Sequence, residues 1–116
     1  MKALIILNDP AYGNERTYNG LRLALSLAKS EGVELRVFLM GDSVTAAKPA
    51  QKTADGYYNL ERMLKGLASK GIAVGACGTC IDARGIAETD LVQSAHRSTM
   101  DELTAWTQWA DKVLVF

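Results

Sequence analysis

Ala3-Leu4-Ile5-Ile6-Leu7, followed at once by Asn8-Asp9-Pro10, is an unbroken apolar run stopped by turn-forming residues. A strand with no polar alternation is buried on both faces, and the architecture that buries strands this way is a parallel sheet with helices on each side. The next stretch supplies the first of those helices. Between Asn14 and Ser30, Leu21, Ala24, Leu25 and Ala28 recur at helical spacing, Leu23 and Leu27 widen the apolar face, and Gly32 is a suitable stop.

The βα rhythm then repeats. Val33 to Met40 alternates at first and becomes apolar throughout, so it reads as a second strand ended by Gly41-Asp42. From Ser43 to Gly56 the periodicity weakens to about one helical turn at Val44 to Ala47, and the segment is a candidate lid. Tyr57, Leu60, Leu64 and Leu67 mark an amphipathic helix that stops near Gly71, and Ile72 to Ala76 form a third strand. Leu91-Val92 is a candidate for a short fourth strand. Thr99 and Glu102 have capping-box spacing ahead of a helix with Met100, Leu103, Trp106 and Ala110 facing inward, and Lys112 to Phe116 is the last strand. Right-handed crossovers between such elements predict an α/β three-layer sandwich, with a mainly parallel sheet of about five strands.

The chain has 116 residues, 48% of them apolar and 22% charged, which suits one domain spanning 1–116. Thirteen basic and thirteen acidic side chains cancel and are scattered, so there is no basic stripe to neutralise a phosphate backbone, and no nucleic acid partner is expected. The early apolar run is too short for a signal-peptide core or a bilayer span; a cytoplasmic location with no membrane partner is the resulting expectation. After the first strand, Asn8-Asp9-Pro10-Ala11-Tyr12-Gly13 lacks the glycine fingerprint that cradles dinucleotide phosphates, so no nucleotide or flavin cofactor is expected.

The only two cysteines stand together in Cys77-Gly78-Thr79-Cys80, directly after the third strand. In a reducing compartment such a pair points to catalysis or metal rather than to a structural disulfide. Two thiols and a single distant histidine, His96, fall short of the four ligands of a structural zinc site, unless cysteines are shared across an oligomer interface. Disulfide exchange is open to thiols at this spacing, a persulfide relay needs only one of them, and simple close packing of small residues is the bland alternative.

In a parallel sheet, ligands bind beyond the carboxyl ends of the strands, where strand order reverses. Asn8, Asp9, Gly41, Asp42 and Cys77 all lie at such ends and are expected to converge on one rim. Gly78 and Thr79 sit in the cysteine turn, and Tyr58, beside the candidate lid, is the pocket candidate of the tyrosine pair. Each has a structural reading as well: Asp42 as a cap for the following turn, Asn8-Asp9-Pro10 as a plain turn, Arg84 as the surface partner of Asp82, and His96 as a loop or interface residue.

Phe38-Leu39-Met40-Gly41-Asp42-Ser43-Val44, Tyr58-Asn59-Leu60, Cys77 through Gly85-Ile86 and Trp109-Ala110-Asp111-Lys112-Val113-Leu114-Val115-Phe116 together resemble the DsrE/DsrF-like family. The resemblance runs through nearly the whole chain in order. It implies a flavodoxin-like fold, assembly into homo-oligomers such as trimers or hexamers, and sulfur relay between donor and acceptor proteins or small sulfur species. The family's sulfur-accepting cysteine precedes an Arg-Gly pair, which maps onto Cys77 and Arg84-Gly85. Cys80 is then a resolving thiol or a second acceptor, and a sulfur carrier stands beside two alternatives: a thiol-disulfide redox protein, and a non-enzymatic oligomeric subunit whose cysteines pack or share a metal.

Overall fold

The computed structural model describes residues 1–116. Its elements in order are β1 (Lys2–Leu7), α1 (Arg16–Leu27), β2 (Glu34–Leu39), a 3-10 helix (Gly41–Ala47), α2 (Leu60–Ala68), β3 (Ala73–Cys77), α3 (Gly78–Ala83), a 3-10 turn (Glu88–Asp90), β4 (Ala95–Ser98), α4 (Met100–Trp109) and β5 (Lys112–Val115). All five strands are parallel, in the spatial order β4-β3-β2-β1-β5. The expected α/β fold is therefore the one observed. Ala3, Leu4, Ile5 and Leu7 are fully buried, as an uninterrupted apolar run in a central strand requires.

Right-handed crossovers put α1, α2 and α3 on one face of the sheet and leave α4 to cover the other. On the α4 face Trp106 meets the edge of Phe38 with ring centroids 6.1 Å apart. It comes so close to the sheet that a side chain at Gly75 would lie 3.2 Å from its ring. Thr99 Oγ1 accepts from the Glu102 N–H, the cap foreseen at that spacing. The Glu102 carboxylate does not complete the capping box; it accepts from Ser98 Oγ at 2.6 Å and is hydrogen-bonded to His96. Burial of Glu102 opposes its ionisation, but the Ser98 and His96 hydrogen bonds and the charges of His96 and Arg36 outweigh that, holding the carboxyl below its usual range.

Several local expectations are corrected. The fourth strand is Ala95–Ser98, not Leu91-Val92: Val92 is a buried loop anchor whose N–H donates to Ala47 O. An edge strand with one open side tolerates the polar run Ala-His-Arg-Ser, which carries no apolar signal. His96 accordingly sits on a strand rather than a loop. Met100, on the first turn of α4, is 63% exposed and does not face inward. Tyr57 is exposed and precedes α2. The start of the candidate lid is core: Ser43, Val44, Ala46 and Ala47 are buried, and Ser43 Oγ donates to the Leu7 and Met40 carbonyls at 2.7 Å. The remainder is fastened by Ala50 N–H to Glu61 and by Gln51 Nε2 to the Thr45 and Lys48 carbonyls.

Strand order reverses between β1 and β5, not beside β3. That crevice is closed by the chain itself, since Asn8 donates to Phe116 O from both its backbone N–H (3.0 Å) and its side-chain amide (3.1 Å). No helix is long and apolar enough to cross a membrane.

Candidate functional site

Cys77 is the last residue of β3, and α3 begins at the very next residue. The turn is possible because residue 78 is glycine: a Cβ there would stand 2.9 Å from both the Ser98 carbonyl oxygen and the Arg97 guanidinium carbon. The cysteine Cα atoms are 5.2 Å apart and the two residues are paired at disulfide distance. Cys77 is 9% exposed, and Cys80 is half-buried on the first turn of α3.

Both sulfurs have donors aimed at them. The Cys80 N–H approaches Cys77 Sγ at 3.4 Å, and Thr79 Oγ1 lies at the same distance. Cys80 Sγ receives the N–H of Gly41 from across the rim at 3.2 Å. Gly41 has φ +58°, a left-handed conformation open to glycine at little cost, and this conformation belongs to the turn that points its N–H at the sulfur. Backbone N–H groups directed at a sulfur stabilise negative charge on it.

The turn is clamped from two sides. Arg84 donates to Asp42 Oδ1 from Nη2 (2.7 Å) and Nε (3.1 Å) and to the Cys80 carbonyl from Nη1 (3.0 Å), so it joins the β2 turn to α3. Arg97 grips both oxygens of Asp82 at 2.8 and 2.9 Å. The hydrogen bonds and charge of Arg97 hold the Asp82 carboxyl below its usual range, and Asp82 raises Arg97 in return. Two expectations change here: Arg84 pairs with Asp42 rather than with its sequence neighbour Asp82, and Asp42 is an ion-pair partner, not a side-chain cap.

A cavity of about 200 Å³ opens beside Cys77 on the α4 face, between Phe38, Met40 and Met100 on its apolar side and Arg97 and Ser98 on its polar side. Ser98 is the register partner of Cys77 across β3 and β4 and is 3% exposed. Two larger hollows, of about 370 and 430 Å³, lie elsewhere on the surface and contain no cysteine. Size therefore does not locate the chemistry.

Of the sequence-derived candidates, Gly41, Asp42, Cys77, Gly78, Thr79, Cys80 and Arg84 are brought together. Asn8, Asp9 and Tyr58 are not part of this cluster. Asn8 binds Phe116; Asp9 accepts from Thr17 Oγ1 through its carbonyl at 2.6 Å and pairs with Arg16 at 3.6 Å. Tyr58 stacks between Tyr18 and Tyr57, with centroids 4.0 and 4.3 Å away, in a cluster that also takes in Tyr12. No residue from 43 to 56 lines the cavity beside Cys77. The residues that sequence reasoning missed, Arg97 and Ser98, are on the unrecognised edge strand.

The comparisons with known proteins agree on one family. A model of the DsrE/DsrF-like family matches residues 1–116. Protein YchN of Escherichia coli K12 is 43% identical over 116 residues, which span 99% of this chain and 98% of that protein. An uncharacterized protein of Methanocaldococcus jannaschii is 39% identical over 116 residues and is covered, like this chain, in full. The crystal structure of YchN matches the fold with a TM-score of 0.93 at 43% identity, covering 99% of this chain and 98% of that one. A Methanobacterium thermoautotrophicum protein of unknown function matches at a TM-score of 0.76 and 13% identity, over 99% of this chain and 98% of its own, a likeness of fold alone. With its whole length matched by the family and its fold shared with YchN, this chain belongs to the DsrE/DsrF-like family.

Proposed function

We propose that the protein is a cytoplasmic sulfur carrier that holds sulfane sulfur as a persulfide on Cys77 and passes it to an acceptor thiol. Membership in the DsrE/DsrF-like family suggests a sulfur-relay role. The observation that carries the reading is the position of Cys77, at a strand's carboxyl end, with a donor N–H at its sulfur and a small cavity at its side. In the loading step the reduced Cys77 thiolate attacks the outer sulfur of a persulfide donor. A sulfur–sulfur bond forms on Cys77, the donor's own sulfur–sulfur bond breaks, and the donor leaves as a thiolate. Cys80 is the resolving thiol: it attacks Cys77 Sγ, expels hydrosulfide and leaves the Cys77–Cys80 disulfide.

In this reading Gly41, Asp42, Thr79 and Arg84 position the thiol turn, and Gly78 gives it room. The carrier works as a homo-oligomer, a trimer or hexamer. Val113 and Val115 support that arrangement: they face the α4 side of the edge strand β5 and are 39% and 64% exposed. Mass spectrometry of the reduced protein after incubation with a persulfide donor tests the function. A gain of one sulfur atom, abolished in Cys77→Ser and retained in Cys80→Ser, is the expected result; no gain in the folded wild-type protein overturns it. The pairing of the cysteines favours a second reading, thiol-disulfide exchange without sulfur retention. That reading predicts redox cycling in which the mass never exceeds that of the dithiol.

A further inference from the structure

The disulfide form is asymmetric. The cavity of about 200 Å³ is lined by Cys77 and not by Cys80, so a small reagent within it lies against Cys77. Cys80 Sγ lies on the other side of the bond, where the Gly41 N–H points at it from 3.2 Å. That donor comes from the β2 turn, which Arg84 ties to α3 through Asp42 and the Cys80 carbonyl. Which sulfur of a disulfide is attacked depends on which one the reagent reaches. Cys80 is the more exposed residue from bulk solvent and both sulfurs have donors, so what selects Cys77 is the cavity, which it lines and Cys80 does not.

The cavity also limits what can attack. Its volume lies under the ~300 Å³ at which pockets for ordinary organic ligands begin, while it exceeds the ~30 Å³ share of one water molecule. Phe38, Met40 and Met100 make one wall apolar and polarizable, suited to a soft sulfur species, and Arg97 is the cationic group on the other.

From these features we infer that the oxidised protein is itself a sulfur acceptor, taking up hydrosulfide at the cavity beside Cys77 with Cys80 as leaving group. This rests on the reading of Cys77 as the sulfur carrier and gives that carrier a second, inorganic source of sulfur. Hydrosulfide forms a bond to Cys77 Sγ as the Cys77–Cys80 bond breaks, and the electron pair of that bond goes to Cys80 Sγ. The products are a Cys77 persulfide and a Cys80 thiolate, and the hydrosulfide proton stays on the outer sulfur or passes to water. The step is the resolving reaction run in reverse, drawn forward by hydrosulfide in excess. The sulfide sulfur is oxidised and the disulfide supplies the oxidising equivalents, so this step needs no further oxidant. A new round requires the cysteine pair to be oxidised again, by thiol-disulfide exchange with an external disulfide.

Sodium sulfide added to the fully oxidised protein without oxygen, followed by alkylation and peptide mass spectrometry, tests the inference. The expected product carries one extra sulfur on the Cys77 peptide and an ordinary alkylated Cys80. An extra sulfur on Cys80, or a plain dithiol with none, overturns it. A rate comparison adds a readout for the cavity: hydrosulfide should open the disulfide at least tenfold faster than glutathione of equal thiolate concentration, and Met100→Trp should narrow that lead. Equal rates for the two thiols overturn the assignment of the cavity as the point of entry. A reduced protein that gains sulfur from a persulfide donor while its oxidised form ignores hydrosulfide sinks this inference alone. Failure of the reduced protein to load sinks the carrier reading itself.

Discussion

Past β1 the chain turns at Asn8-Asp9-Pro10, and past β3 it turns at Cys77-Gly78-Thr79-Cys80; both turns leave carboxyl ends of the same parallel sheet, two strands apart. At the first, polar groups are spent on the chain's own backbone and neighbours: Asn8 on Phe116, Asp9 on Thr17 and Arg16. At the second, donors from two segments point at two sulfurs, and a cavity is left open beside one of them. What separates them is what fills the crevice. Phe116 closes the place where strand order reverses, and the cysteine cluster lies toward the opposite edge of the sheet, at β3 and β4, where a glycine turn and an edge strand leave room.

Gly78→Ala is the strongest structural test of that contrast. Its Cβ would meet the Ser98 carbonyl oxygen at 2.9 Å, a backbone atom that cannot swing aside, and overpacking of this kind costs ~1–3 kcal/mol. Asn8→Ala, by contrast, deletes an exposed side-chain bond to a carbonyl that the Asn8 backbone N–H already satisfies, a loss of about 0.5 kcal/mol. Urea unfolding midpoints compare the two directly. If the alanine at 78 is as mild as the one at 8, the cysteine turn is not pinned by close approach.

The ion pairs give a smaller effect and sharpen the same contrast. Asp42 is 60% exposed, so Asp42→Asn should cost less than about 1 kcal/mol in global stability. Because Arg84 ties the Gly41 turn to α3 through that carboxylate, the variant should nonetheless make reduced Cys80 alkylate at a different rate from wild type. Arg16→Gln, which removes a 3.6 Å pair to Asp9 on an arginine that is 75% exposed, should change neither quantity. An unchanged Cys80 rate in Asp42→Asn would break the link between the clamp and the sulfur.

The sequence revealed β1 and the position of Cys77 because both depend on local pattern: an apolar run must be buried, and the residue after a strand in a parallel sheet lies on the rim. It concealed β4, since a strand at an edge with one residue in four buried carries no apolar signal. Missing β4 meant missing Arg97 and Ser98, the polar wall of the cavity. It also misdirected Arg84, because pairing with Asp42 rather than Asp82 is decided by how α3 packs on the β2 turn and not by spacing along the chain. Tyr58 was drawn into the pocket by its nearness to the weakly patterned 43–56 segment, whereas aromatic stacking holds it in a separate cluster.

Tyr58 yields the smallest expected effect on sulfur chemistry and the sharpest check on the boundary between the two regions. Its phenol is pushed up to about 12, first by the hydrogen bond with Tyr57, then by burial and by the charge that an ionised Tyr57 would place beside it. A raised folded-state value favours the neutral phenol, so the stabilising contribution is complete below the ordinary tyrosine value of 10.0 and is lost as pH climbs from there through about 12. Alkaline absorbance titration should show one late-ionising tyrosine, absent in Tyr58→Phe. The same variant should load sulfur on Cys77 at the wild-type rate at neutral pH, because Tyr58 is not among the residues that line the cavity. Should Tyr58→Phe slow that loading, the tyrosine cluster and the cysteine turn would be parts of one site, and the division of the rim into a structural and a chemical half would fail.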